Sequence, residues 1–109
     1  MPPKTDPYFV TIVSTEIAAH DPEGYAAYRA ELSAVVAQQP GFMSADNYQD
    51  GLKTLSLTYW ETQEAMTAWS RSEAHQEIKK KSSAGGWLQS VRIEIAQVNS
   101  RMEMPPKRG

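Results

Sequence analysis

The sequence predicts an α+β fold of ferredoxin-like order, β-α-β-β-α-β, with an antiparallel sheet and its helices on one face. Three observations predict it. Runs rich in β-branched and aromatic residues stand at Tyr8–Ile17, Leu52–Trp60 and Ser90–Val98. Two stretches with helix start signals, after Asp21-Pro22 and after Glu61-Thr62, lie between them. Asp50-Gly51 supplies a two-residue hairpin signal between a weaker strand and the best-patterned one.

The elements follow in order. Strand one is YFVTIVSTEI, Tyr8 to Ile17, stopped by His20-Asp21-Pro22-Glu23. Asp21 can cap a helix, Pro22 fits its first position, and Glu23 suits the positive dipole end. Helix one is expected to run to about Gln39, with Tyr25, Tyr28, Leu32, Val35 and Val36 on one apolar face and Pro40-Gly41 ending it. Strand two is Phe42 to Gln49. A type I′ turn at Asp50-Gly51 would lead into strand three, Leu52 to Trp60. The second helix opens at Glu61-Thr62-Gln63-Glu64. A capping-box pattern at Ser70-x-x-Glu73 suggests that it breaks near Arg71 and restarts, running through His75, Ile78 and the lysines. Lys79 to Gly86 reads as a solvated helix end and loop, and Ser90 to Val98 as strand four.

One sheet face would have no cover of its own. Leu55, Leu57, Tyr59, Val91, Ile93 and Ile95 are expected on the helix-covered side, with Ser56, Thr58, Trp60, Arg92 and Glu94 opposite. Such an open face meets water or closes against a second copy around a pocket, which predicts a homodimer.

With 109 residues, the chain has the size of one domain, its ordered core expected over about 8–98 and tails at 1–7 and 99–109. The net charge of -2 gives no pull toward nucleic acid or an anionic membrane. The absence of cysteine excludes disulfides, thiolate metal sites and a cysteine nucleophile. The N-terminus lacks the apolar run of a signal peptide and no stretch is long enough to span a bilayer, so a cytoplasmic location is expected.

From Leu57 onward the residues carry a family resemblance. Leu57-Thr-Tyr-Trp60-Glu61, Ala65-Met-Thr-Ala-Trp69, Ser72-Glu-Ala-His75 and the closing strand Arg92–Val98 resemble the antibiotic biosynthesis monooxygenase family of the dimeric α/β-barrel superfamily. The Pro40-Gly41-Phe42 turn also fits. The resemblance implies a homodimer whose two sheets pack as a barrel, with a pocket between sheet and helices in each subunit. It implies a monooxygenase-like activity that oxidises a small aromatic or quinol-type substrate with molecular oxygen and no cofactor. The alternative is a non-catalytic ligand-binding or stress-associated dimer.

His75 is the acid/base candidate, because an imidazole titrates near neutrality; the other reading is a structural histidine bonded to backbone or solvent. Trp60 and Trp69 could wall a pocket for a planar substrate, or could be core, and Trp60 could also lie in the dimer interface. Arg92 and Asn47 could orient a substrate oxygen, although Arg92 and Glu94 could equally form an ion pair. His20, in a turn, is expected at the surface, and Trp87 is expected to anchor the loop after Gly85-Gly86. Two separated histidines make no metal site. The haem-degrading members of the superfamily use a first-strand asparagine and a histidine about three helical turns after a tryptophan. Strand one has no asparagine and His75 follows Trp69 by six positions, so haem degradation is disfavoured.

Overall fold

A computed structural model describes residues 7–104 and 106. The elements are β1 (Tyr8–Ile17), α1 (Pro22–Val36), β2 (Phe42–Asp50), β3 (Lys53–Trp60), α2 (Gln63–Arg71), α3 (Glu73–Gly85) and β4 (Leu88–Val98). The strands form one open antiparallel sheet of order β2-β3-β1-β4, and α1 and α2 pack on one face of it. The expected tails fall partly on residues 1–6, 105 and 107–109, which lie outside the described residues; Asn99–Met104 carry neither helix nor strand.

Local chemistry explains the boundaries. Asp21 caps α1 through its side chain, which accepts from Gly24 N at 3.1 Å, and Pro22 opens the helix. The helix ends at Val36, short of Gln39, and Ala37–Gln39 close in single turns onto Ser33, Val35 and Val36 carbonyls. At the hairpin, Asp50 pairs with Lys53, so the loop residues are Gly51 and Leu52. Only Gly51 of these has a positive φ, 61°. Glycine at the first central position and an ordinary residue at the second is the pattern of a type II′ turn, not the expected type I′.

The expected helix break is present, one residue past Arg71, but its cap is Ser72 and not Ser70. Ser72 Oγ donates to Trp69 O at 2.8 Å and accepts from His75 N at 3.1 Å, so one hydroxyl closes α2 and opens α3. The lysines lie on α3 as expected, but the helix continues to Gly85 through the residues expected as loop, and Lys81 pairs with Glu31 of α1. Gly86, with φ 65°, ends α3 and delivers Trp87 into the core.

The faces of β3 are the reverse of the expectation. Trp60 lies opposite Phe9 and Phe42, and Ser56 opposite Val13 and Asn47, all on the helix side. Leu55, Leu57 and Tyr59 point to the open face, beside Ser14, Ile12 and Val10 of β1. On β4 the register sets Val91, Ile93 and Ile95 on the helix side as expected, opposite Thr15, Val13 and Thr11. No helix covers them there: they are 48%, 62% and 60% exposed. A period of two sorts each strand into two sets, but only the cross-strand register says which set shares the helix side.

Two clusters form the core. Val36, Trp60 and Met66 close one end with Phe9, Phe42, Ala65 and Trp69 around them. Ile17, Tyr25 and Trp87 close the other, with Tyr28 and Leu88. Gly41 joins the first end: its carbonyl accepts from Glu61 N at 2.8 Å, its φ is 81°, and a Cβ there would stand 2.4 Å from the Ala65 side chain. Gly41→Ala is therefore expected to cost at least about 1–3 kcal/mol, seen as a lower urea midpoint at unchanged m-value. Gly51→Ala meets nothing within 4 Å and should cost less. Equal midpoints for the two variants would contradict the packing argument.

Candidate functional site

His75 is set by the α2–α3 joint. The Ser72 cap fixes its backbone, and its Nδ1 lies 3.1 Å from Ser70 O. A carbonyl oxygen can only accept, so Nδ1 carries the proton and Nε2 is left with its lone pair. Burial holds the imidazole below the usual histidine pKa, and the Lys79 ammonium adds to that; the Ser70 carbonyl pulls the other way. The ring is thus neutral near pH 7, with its basic nitrogen available. Trp69 stands against it, ring centroids 5.0 Å apart at 63°.

Trp69 also packs on the Val36–Trp60–Met66 cluster, so it links that core to His75 at the helix joint. Trp60 itself has 0% exposed surface. It backs this end of the molecule and presents no face to solvent. Among the described residues its indole N–H has no hydrogen-bond partner, and the Phe42 ring crosses it at 84° with centroids 6.1 Å apart.

Asn47 and Arg92 stand away from His75. Arg92 lies on the open face of β4 and pairs with Glu94 at 3.3 Å, both side chains well exposed, a contact of little energetic weight. It lines an open groove of about 680 Å³ with Tyr48, Leu55 and Ser14. Asn47 is on the helix side of β2, where its Oδ1 accepts from Arg29 of α1 at 2.6 Å. Arg29 also donates to Ser56 Oγ at 3.0 Å, and the three residues border a cleft of about 500 Å³ between α1 and strands β2 and β3.

Sequence reasoning missed Arg29 and Ser56. The signal was present. Tyr25 and Val36, the two buried residues of α1, lie four positions before and seven after Arg29, so a cation sits on the helix's inward stripe. His20 is exposed, as expected, and its Nε2 lies 2.9 Å from Gly85 O. Among the described residues no three His, Asp or Glu side chains gather as a metal-ligand set, and no helix is long and apolar enough to cross a membrane.

A family model for antibiotic biosynthesis monooxygenases matches residues 10–81, more than half of the chain. The chain belongs to the antibiotic biosynthesis monooxygenase family. Similar proteins within reach of this family differ in what is known of them. The uncharacterised protein YqjZ of Bacillus subtilis (strain 168) is 27% identical over 95 residues, spanning 85% of this chain and 81% of that protein. The structure of SnoaB, a cofactor-independent oxygenase from Streptomyces nogalater, superposes with a TM-score of 0.71 at 14% identity, covering 93% of this chain and 100% of that one. A protein of unknown function from Nitrosomonas europaea superposes at 0.72 and 13% identity, covering 95% and 100%. At such identities the structural likeness shows the ferredoxin-like fold of the monooxygenase family and does not assign an activity.

Proposed function

We propose that this member of the antibiotic biosynthesis monooxygenase family is a cofactor-independent oxygenase of a small aromatic or quinol-type substrate, working as a cytoplasmic homodimer. The observation that carries the reading is His75, a neutral imidazole with its proton fixed on Nδ1 and its Nε2 free, beside the Trp69 ring. In this role Nε2 takes a proton from a phenol or from a carbon flanked by electron-withdrawing groups. The resulting phenolate or carbanion is electron-rich enough to reduce oxygen directly. For a methylene carbon the balance closes without a co-reductant. The carbon gives up four electrons and its two hydrogens, one oxygen atom becomes its carbonyl, and the other leaves as water. Trp69 supplies an aromatic wall for a planar ring, backed by the cluster that holds Trp60.

The dimer is supported by the sheet. Its open face carries Ile12, Leu57 and Tyr59, with no helix over them, and Leu55 is 36% exposed; Tyr8 and Val10 on the same face are already buried within the subunit. Burial, with Asp46 and the neighbouring tyrosines, raises the Tyr59 pKa, so its hydroxyl stays neutral and fit for a partner's apolar surface.

Oxygen uptake with a panel of hydroquinones, naphthols and anthrones, on chelator-treated protein, tests the reading. Turnover is expected with at least one substrate and should fall by roughly 10²–10⁴-fold in His75→Ala. Because the His75 pKa is lowered, the active neutral form persists into mild acid. The rate should decline on the acid side with a midpoint below about 6.5. Unchanged rates in His75→Ala would remove its role. Binding without oxygen uptake would leave a non-catalytic ligand-binding dimer.

A further inference from the structure

We infer that the cleft between α1 and strands β2 and β3 is an anion-recognition site for an aromatic carboxylate, with Arg29 as its anchor. This concerns binding alone and stands whether or not the protein activates oxygen.

The cleft has the dimensions of a small-molecule site, about 500 Å³. One wall is helix: Tyr25, Ala26 and Ala30, apolar or aromatic. The floor is sheet, where Asn47 and Ser56 hold the guanidinium in place. Among the described residues no aspartate or glutamate lines it. Both bonds that Arg29 makes use one terminal nitrogen, Nη2, and both acceptors are neutral. A guanidinium has five N–H donors in a fixed fork, so its other donors remain for a ligand. Among the described residues Arg29 forms no ion pair, although it is half-buried. A cation drawn partly out of water normally acquires a counter-charge, and a guanidinium takes a carboxylate in a bidentate grip. The small side chains of Ala26 and Ala30 leave room for a flat ring, and Tyr25 offers it an aromatic neighbour.

A purely structural Arg29, a strut from α1 to the sheet, would give the same two hydrogen bonds. Titration calorimetry separates the two roles, using salicylate as the probe and salicylamide as its neutral counterpart. The wild-type protein is expected to bind salicylate at least tenfold more tightly than salicylamide, with the preference weakening as salt rises. Arg29→Gln should abolish the preference, and Arg29→Lys should keep part of it. Should loss of Arg29 loosen the fold, Ser33→Glu provides the second arm. It sets a carboxylate one turn along α1 on the cleft lining, within reach of the free donors. That variant should fold normally and lose salicylate binding. Equal affinity for the two probes, no binding of either at millimolar concentration, or an undiminished preference in folded Arg29→Gln or Ser33→Glu would each overturn the site.

Discussion

Trp60→Ala is expected to lose about 3–5 kcal/mol of stability, the largest effect of any single truncation in this chain. Among the described residues Trp60 is the one side chain with no exposed surface, and it holds together parts of the chain that are remote in sequence. Phe42 crosses its ring, Phe9 lies opposite it on β1, and Val36 and Met66 bring in α1 and α2. Removing the indole leaves a cavity that four elements would have to collapse into at once. Trp60→Phe should cost far less. It keeps most of the volume and deletes an indole N–H that is buried without an acceptor, a group that is costly to leave unpaired. Urea unfolding followed by circular dichroism gives both values. Similar midpoints for the two variants would show that this cluster relaxes and does not hold the fold.

Leu57→Glu is expected to convert a dimer into a folded monomer. Leu57 sits mid-sheet on the open face, opposite Ile12 and Asp46. A second copy laid on this face would bury the apolar set of Ile12, Leu55 and Tyr59, and an isologous contact places Leu57 on both sides of the joint. A carboxylate there must be desolvated twice over, once from each subunit. Light scattering at micromolar concentration should report a dimer for the wild type and a monomer of unchanged circular dichroism for the variant. A monomeric wild type, or a dimeric Leu57→Glu, would place the joint elsewhere or nowhere.

Much of this architecture was legible in the residues. β1 was bounded at Tyr8 and Ile17 by its aromatic and β-branched run and by the Asp21-Pro22 stop, and the break near Arg71 by a serine-glutamate pattern, although the cap is Ser72 and not Ser70. These are local effects, decided within a few positions. What was not legible is relational. Trp60 and Leu57 alternate cleanly along β3, but their sides depend on pairing with β1 and on where α1 and α2 dock. The covered side went to the one tryptophan, with Ser56 satisfied by Arg29, and the leucines were left outward. The same holds for the candidate site. His75 and Trp69 belong together because six residues of a capped helix joint bring them together. Asn47 and Arg92 came from strand patterns and lie on opposite faces of the sheet, Asn47 bound to an arginine that only the α1 stripe could have flagged.

Labelled molecular oxygen gives the most direct test of the proposed chemistry. Chelator-treated protein would be supplied with an anthrone or hydroquinone substrate under labelled oxygen in unlabelled water, and the product read by mass spectrometry. The expected result is one labelled atom in the product, formed without added metal or flavin and lost in His75→Ala. A product carrying no label from oxygen, or one formed at the same rate in the variant, would contradict a histidine-assisted, cofactor-independent oxygenase.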